Sequence, residues 1–218
     1  MRPLAVAALA ITTSACAGAI NYLDPSGPLH EGRRAAPEAV ARAPHAAPLR
    51  VVSFNIESGR EIDRALEVLR GSEPLRDPDL LALQEMDLPG VERIAARLGL
   101  NYLYVPSAVH PQSKREFGSA LLSPWPLTEP RKIVLPHAAL GTRLRRSVLV
   151  ATLARGSQRV RVYAVHLPSP VGITGGSRRD EVRVVLADAA GSPAKIPPEA
   201  GLAGSAEPAR DGVVRVRF

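Results

Sequence analysis

Three polar side chains stand where apolar runs stop. Residues 49–56 read LRVVSFNI, with Asn55 next to last; residues 79–86 read DLLALQEM, with Glu85 next to last; residues 160–167 read VRVYAVHL, with His166 next to last. In α/β sheets, ligands gather at strand ends and in the loops beyond them. A carboxylate with an amide beside it is a hard-oxygen pair suited to Mg²⁺ or Mn²⁺. A histidine at the same edge can donate a hydrogen bond to a phosphate or act as a general acid. Each residue also has a plainer reading: a backbone bridge for Asn55, a solvated turn for Glu85, a satisfied core histidine for His166. Residue types alone carry the argument no further than a candidate metal site.

The elements that would position these side chains alternate. In the run 49–56, Leu49, Val51, Ser53 and Asn55 share one face, and Arg50, Val52, Phe54 and Ile56 share the other. Ser58 with Glu61 is a capping-box pattern, and Ile62, Ala65, Leu66 and Leu69 then repeat at helical spacing until Gly71. The run 79–86 is nearly continuous in apolar residues, which predicts a strand buried on both faces. Val91, Ile94, Ala95 and Leu98 predict a second amphipathic helix ended by Gly99. Further strands are predicted over residues 102–106, 117–123, 131–135, 148–153 and 160–167. Ser177 with Asp180 is another capping-box pattern, and Val182, Val185, Leu186 and Ala189 predict a third helix closed by Gly191. The body is therefore of the α/β class with a mixed sheet. From residue 191 periodicity is lost until the closing VVRVRF, so residues 191–218 read as an irregular tail.

Composition narrows the class. The chain has 218 residues, enough for one domain with appendages, and 45% of them are hydrophobic. Aromatic residues make up only 4%, so the core must be built from Ala, Val, Leu and Ile. The single cysteine excludes a disulfide-stapled scaffold, an iron–sulfur cluster and a multi-cysteine zinc site. The net charge of +7 suits a phosphate-bearing or anionic partner, but the arginines that carry it are scattered. Charge alone would also allow a nucleic-acid-binding module. No aromatic stacking cluster or helix-turn-helix pattern supports one.

The N-terminus reads as an address. A basic start and a short apolar run lead to Thr13-Ser14-Ala15-Cys16. This is a signal-peptide pattern too short for a permanent membrane span. The final four residues resemble a bacterial lipobox, although Thr13 stands where leucine is usual. Residues 1–16 are thus expected to direct export. Cys16 is then either lipidated, giving a membrane-anchored lipoprotein, or lost with a leader, giving a secreted or periplasmic protein. Residues 17–47 are rich in Ala, Pro, Gly and Arg and read as a disordered tether, with His30 and His45 as solvated linker residues. Residues 48–190 are left as the folded domain.

The motifs taken together resemble the endonuclease/exonuclease/phosphatase superfamily. RVVSFNIESG followed by PDLLALQEMD resembles its opening, with Asn at the end of the first strand and a metal-binding Glu in a "QE" at the end of the second. FGSALLSPWPL resembles its G-N-A-[IL]-L-S-R-[WF]-P-[IL] segment, with Ser119 in place of Asn. RRSVLVATL and RVRVYAVHLPSP resemble its paired strands ending in T-H-L or N-H-L, with His166 at the His. Residues 178–182, RRDEV, resemble the R-x-x-Q-x helix that follows.

The resemblance implies a four-layer αββα sandwich and Mg²⁺- or Mn²⁺-dependent hydrolysis of a phosphate ester of nucleic acid or a lipid head group. It implies that Glu85 holds the metal, that Asn55 supports metal or phosphate, and that His166 contacts the scissile phosphate. Arg146 is a candidate phosphate contact, with Arg143 and Arg145 equally available. No protein partner is implied.

One departure matters. The family pattern continues with a strand ending G-D-[FL]-N and later with S-D-H, and neither is in this sequence. The general base implied by the second motif typically contributes about 10²–10⁴-fold to rate. The expected reading is an incomplete, C-terminally truncated domain with impaired hydrolysis. The alternative is a non-catalytic lipoprotein remnant that at most binds phosphate groups.

Overall fold

The computed structural model describes residues 19–33 and 48–191, together with the backbone of residues 213–216. Cys16 and the signal-peptide pattern lie outside these residues. Among the described residues, no helix is long and apolar enough to cross a membrane.

The two opening runs form the predicted unit. β3 (Leu49–Asn55) pairs in parallel with β4 (Leu80–Met86), and α1 (Ile62–Gly71) lies between them in sequence. The capping box predicted at Ser58 does not form. Ser58 sits at φ 62° in a 3₁₀ turn, and Glu61 occupies the N-cap without a side-chain bond. α2 (Leu88–Leu98) follows β4, capped at its start by Asp87 and stopped by Gly99 at φ 65°, a left-handed conformation that glycine adopts without strain.

β5 (Asn101–Val109) and β6 (Glu116–Ser123) then extend the sheet antiparallel; with β1 (Ile20–Asn21) and β10 (Val213–Val216) at its ends the order is β1-β5-β6-β4-β3-β10. Gly118 is required in β6, because a Cβ there would come within 2.2 Å of the Val105 carbonyl oxygen. A second sheet holds β7 (Leu127–Ala138), β8 (Arg145–Arg155) and β9 (Gln158–Ala164), all antiparallel. α3 (Gly175–Gly191) closes the body.

The side-chain alternation of the strands builds four layers. Val52, Leu81, Leu83 and Leu122 pack under α1 and α2 against Ile62, Leu66, Val91 and Ile94. Their neighbours Leu49, Leu80, Ala82 and Leu121 face the second sheet and meet Leu149, Ala151 and Leu153. The outer face of that sheet, with Val148 and Val150, is covered by Val184 and Val185 of α3. The layers are helix, sheet, sheet, helix, as expected from the sequence. β4 is buried on both faces, also as expected.

Three expectations are corrected. Part of the stretch read as a disordered tether is ordered: β1 (Ile20–Asn21) and β2 (His30–Gly32) pair antiparallel with β5. The edge of β5 offers unpaired backbone groups, and these short strands satisfy them. His30 is stacked on Tyr104 rather than solvated. The second correction concerns α3: Thr174, not Ser177, caps it, its Oγ1 accepting from the Ser177 amide at 3.1 Å. Val182 and Leu186, expected on the packed face, are exposed. Thirdly, part of the stretch read as an irregular tail is a strand. Val213–Val216 forms β10, antiparallel to β3.

One buried cation secures the N-terminal segment. The Lys132 Nζ of β7 donates to the carbonyl oxygens of Tyr22 (2.7 Å) and Gly27 (2.9 Å). Burial lowers its pKa, since both partners are neutral carbonyls and only Asp24 nearby favours the charge. Lys132→Met keeps the stem and removes the donor. It should destabilise the fold by about 1–2 kcal/mol and speed proteolysis within residues 19–33. Mass-resolved limited digestion checks this, and unchanged cutting rates would contradict the clamp.

Candidate active site

A bulge makes the site. In a regular strand, Glu85 would point with Leu81 and Leu83 toward the helices. The pairing of β4 with β6 instead shifts register between Gln84 and Met86, and Glu85 adopts φ 60°. Met86 thereby joins the helix-side core, and the Glu85 carboxylate is released to the sheet edge. A bulky residue held in the left-handed region costs of order 1 kcal/mol and persists only where the surroundings enforce it.

The surroundings do enforce it. Asn55 Nδ2, at the end of β3, donates to Glu85 Oε1 at 3.1 Å. The Ser58 amide donates to Glu85 Oε2 at 3.1 Å. Asn55 Oδ1 in turn accepts from the Glu57 amide at 3.0 Å, fixing the turn that presents Ser58. Glu57 and Ser58 both have positive φ, so the loop is shaped around the carboxylate.

His166 completes the arrangement from the second sheet. It lies two residues past Ala164, where β9 ends, rather than inside the strand as expected. Its Nε2 is 3.7 Å from Glu85 Oε1. Burial and then the positive charge of Arg146 push its pKa down to about 4, against the opposing pull of Glu85. The imidazole is therefore neutral at pH 7 and serves as a hydrogen-bonding group.

Of the three candidate arginines, only Arg146 joins this cluster. Its guanidinium lies 4.2 Å from the centre of the Phe117 ring, and that ring also packs against His166. Burial lowers its pKa to about 10, against the favourable fields of Glu85 and Glu181. Its Nε and Nη1 are buried and make no hydrogen bond. Arg145, on the opposite face of β8, donates through its side chain to the Pro136 carbonyl, and Arg143 lies in the loop before the strand. Ser119, where the resemblance expects Asn, is buried on β6 opposite Gln84.

Two features escaped the sequence reading. Asp87 caps α2, accepting from the Gly90 amide at 3.0 Å, and also pairs with Arg115, which in turn reaches the Gly59 carbonyl. This ties the loop after β3 to the helix after β4. Asp87→Ala removes a cap and a nearly buried partner. It should cost about 2 kcal/mol in a urea titration with little change in slope. The other feature is Glu181 of α3, fully buried among groups that sequence spacing does not connect.

The family follows from comparison. The model of the endonuclease/exonuclease/phosphatase family matches residues 52–196. The chain belongs to this family. Structures of the same fold include TDP2 from D. rerio complexed with single strand DNA product, at 17% identity and TM-score 0.53, covering 67% of this chain and 56% of that one. The human Nocturnin catalytic domain with bound sulfate anion is 20% identical with TM-score 0.50, covering 74% and 61%. Sphingomyelinase C from Streptomyces griseocarneus is 16% identical with TM-score 0.50, covering 68% and 61%. At these identities the likeness is one of fold. This family member spans 56–61% of the length of those three chains. No curated protein matches its sequence.

Proposed function

We propose that this chain is a divalent-metal-dependent phosphoesterase unit, binding phosphate esters of nucleic acid or lipid head groups. The observation that carries the reading is Glu85. A carboxylate is turned out of its strand by a bulge, held by Asn55 and Ser58, and placed beside His166 and a buried Arg146 with unused donors.

The donor set fits Mg²⁺ or Mn²⁺. These ions are content with one or two carboxylates, water and substrate phosphate. Among the described residues there is no cluster of three or more His, Cys, Asp or Glu of the kind that an all-protein cage needs. Glu85 would hold the ion, with Asn55 supporting it. When bound, the ion supplies Lewis acidity and a template for the phosphate.

The remaining chemistry belongs to the side chains. Arg146 offers Nε and Nη1 to phosphate oxygens from a fixed position over Phe117. Neutral His166 donates a hydrogen bond to the same group and stabilises charge as it develops. The sequence carries neither G-D-[FL]-N nor S-D-H. Turnover by this chain alone is accordingly slow, and binding of metal and phosphate is its robust property. Export, with attachment through Cys16, belongs to the same proposal and rests on the N-terminal pattern.

The test is hydrolysis of bis(4-nitrophenyl) phosphate by the full chain with Mg²⁺ or Mn²⁺, against an EDTA control. Slow turnover that EDTA abolishes supports the reading. Turnover indifferent to EDTA would sink metal dependence. Phosphate binding without turnover would favour the non-catalytic alternative.

A further inference from the structure

Val171 is the most exposed large apolar side chain among the described residues, at 90%, and Leu140 follows at 63%. A single exposed apolar side chain needs no explanation, but a contiguous set does. These two belong to neighbouring loops, since the Leu140 amide donates to the Gly172 carbonyl oxygen at 2.6 Å. Ile20, 60% exposed, joins the same hairpin through its neighbour. Asn21 donates to the Arg143 carbonyl oxygen (3.1 Å) and accepts from the Arg145 amide (2.8 Å). Three segments from distant parts of the sequence thus meet in one rim.

Strand register puts this rim at the same end of the sandwich as Glu85. Ile20 pairs with Val109, Val109 with Glu116, and Gly118 with Met86. Residues 139–144 lead directly into β8 and Arg146, and residues 167–174 leave directly from His166.

Charge follows the same outline. Residues 139–145 and 165–179 hold Arg143, Arg145, Arg178 and Arg179 and no acidic residue. Arg145 and Arg178 donate to the carbonyl oxygens of Pro136 and Pro168, neutral partners that leave both charges uncompensated. Apolar side chains ringed by arginine match the interface of an anionic bilayer. There the apolar groups enter the acyl boundary and the cations meet head-group phosphates. The N-terminal segment leads to the same place. Cys16 precedes Ile20 by four residues, so the two are at most about 14 Å apart at full extension.

We propose that Ile20, Leu140 and Val171, with Arg143 and Arg179, form a membrane-docking rim that seats this end of the sandwich on an anionic lipid surface. The docking stands on these loops alone. Its consequence is that the ester reached by Glu85, His166 and Arg146 belongs to a lipid head group, and this rests on the reading of the active site.

The test places a reporter on the rim of the full chain. Val171→Trp is compared with Val68→Trp, which puts the same side chain toward the end of α1 away from the site. Both are read against the one native tryptophan, the buried Trp125. The vesicles are phosphatidylcholine with about one-third phosphatidylglycerol. On them the Val171→Trp emission should shift to the blue and be quenched by about half by lipids brominated on the upper acyl chain. The Val68→Trp emission should do neither. In the Val171→Trp background, Leu140→Ser and Arg143→Gln should each lower vesicle affinity about fivefold. Arg97→Gln, in the last turn of α2, should leave it unchanged.

The proposal is overturned if vesicles leave the Val171→Trp emission unmoved, or if Val68→Trp is quenched equally, which means no preferred face. It is also overturned if Arg97→Gln weakens binding as much as Arg143→Gln, which marks unspecific attraction. A single-stranded oligonucleotide that moves the emission where vesicles do not would give the face to nucleic acid and overturn it as well. Mn²⁺ titration keeps the two levels apart, and Leu140→Ser should bind Mn²⁺ like wild type. Failure to dock with Mn²⁺ binding intact removes the rim alone. Docking without a Mn²⁺ site upholds the rim and removes the active-site reading, and with it the lipid-ester consequence.

Discussion

Replacing Glu85 with alanine is expected to remove metal-dependent hydrolysis, a loss of at least about 10²-fold from the several kcal/mol that Lewis-acid stabilisation supplies. Asn55→Ala should lose about 10-fold, because Asn55 Nδ2 only orients the carboxylate at 3.1 Å. The same site yields a stability prediction of opposite sense. Residue 85 sits at φ 60°, where glycine is at ease and alanine is not. Glu85→Gly and Glu85→Ala both remove the carboxylate and its two hydrogen bonds. The glycine variant should nevertheless be the more stable by about 1 kcal/mol, measured by urea titration. Equal stabilities would mean that the bulge relaxes and that the backbone does not hold the side chain in place. Wild type thus keeps a strained residue where the candidate metal ligand is required.

Acid should destabilise the metal-free protein through His166. In the fold its pKa lies near 4, held there first by burial and then by Arg146, and in the unfolded chain near 6.5. Between those values the unfolded state binds more protons. Stability is therefore fully present above about pH 6.5, falls as pH drops through the window, and levels off below about pH 4. The difference amounts to about 3 kcal/mol at full effect. Glu181 acts in the opposite sense, since its raised pKa makes the folded state the better proton acceptor above the usual carboxylate range. Comparing wild type with His166→Gln in EDTA at each pH isolates the histidine. The gap between them should narrow from neutral to acidic pH. A constant gap would contradict a depressed pKa.

Much of this fold is legible in the sequence because its strands alternate cleanly. Leu81 and Leu83 against Leu80 and Ala82 announce a strand buried on both faces, and the structure places the two sets in different cores. Asn55, Glu85 and His166 are legible for a related reason: each is a polar residue at the end of an apolar run. Alternation alone would aim Glu85 at the helices. The bulge that redirects it depends on pairing with β6 and on the Ser58 turn, which are contacts between distant parts of the chain. β1 and β2 were hidden for the same cause. Their residues carry no periodicity, and their order comes from the edge of β5 and from Lys132. Glu181 sits in a helix whose polar and apolar residues are mixed, so no pattern marks it as buried.

The most direct test of the site is a titration of the full chain with Mn²⁺, with and without inorganic phosphate, in wild type and Glu85→Gln. The geometry predicts a single Mn²⁺ site in wild type, tightened by phosphate, and no such site in the variant. Equal Mn²⁺ binding by the two proteins would contradict a cation site built on Glu85.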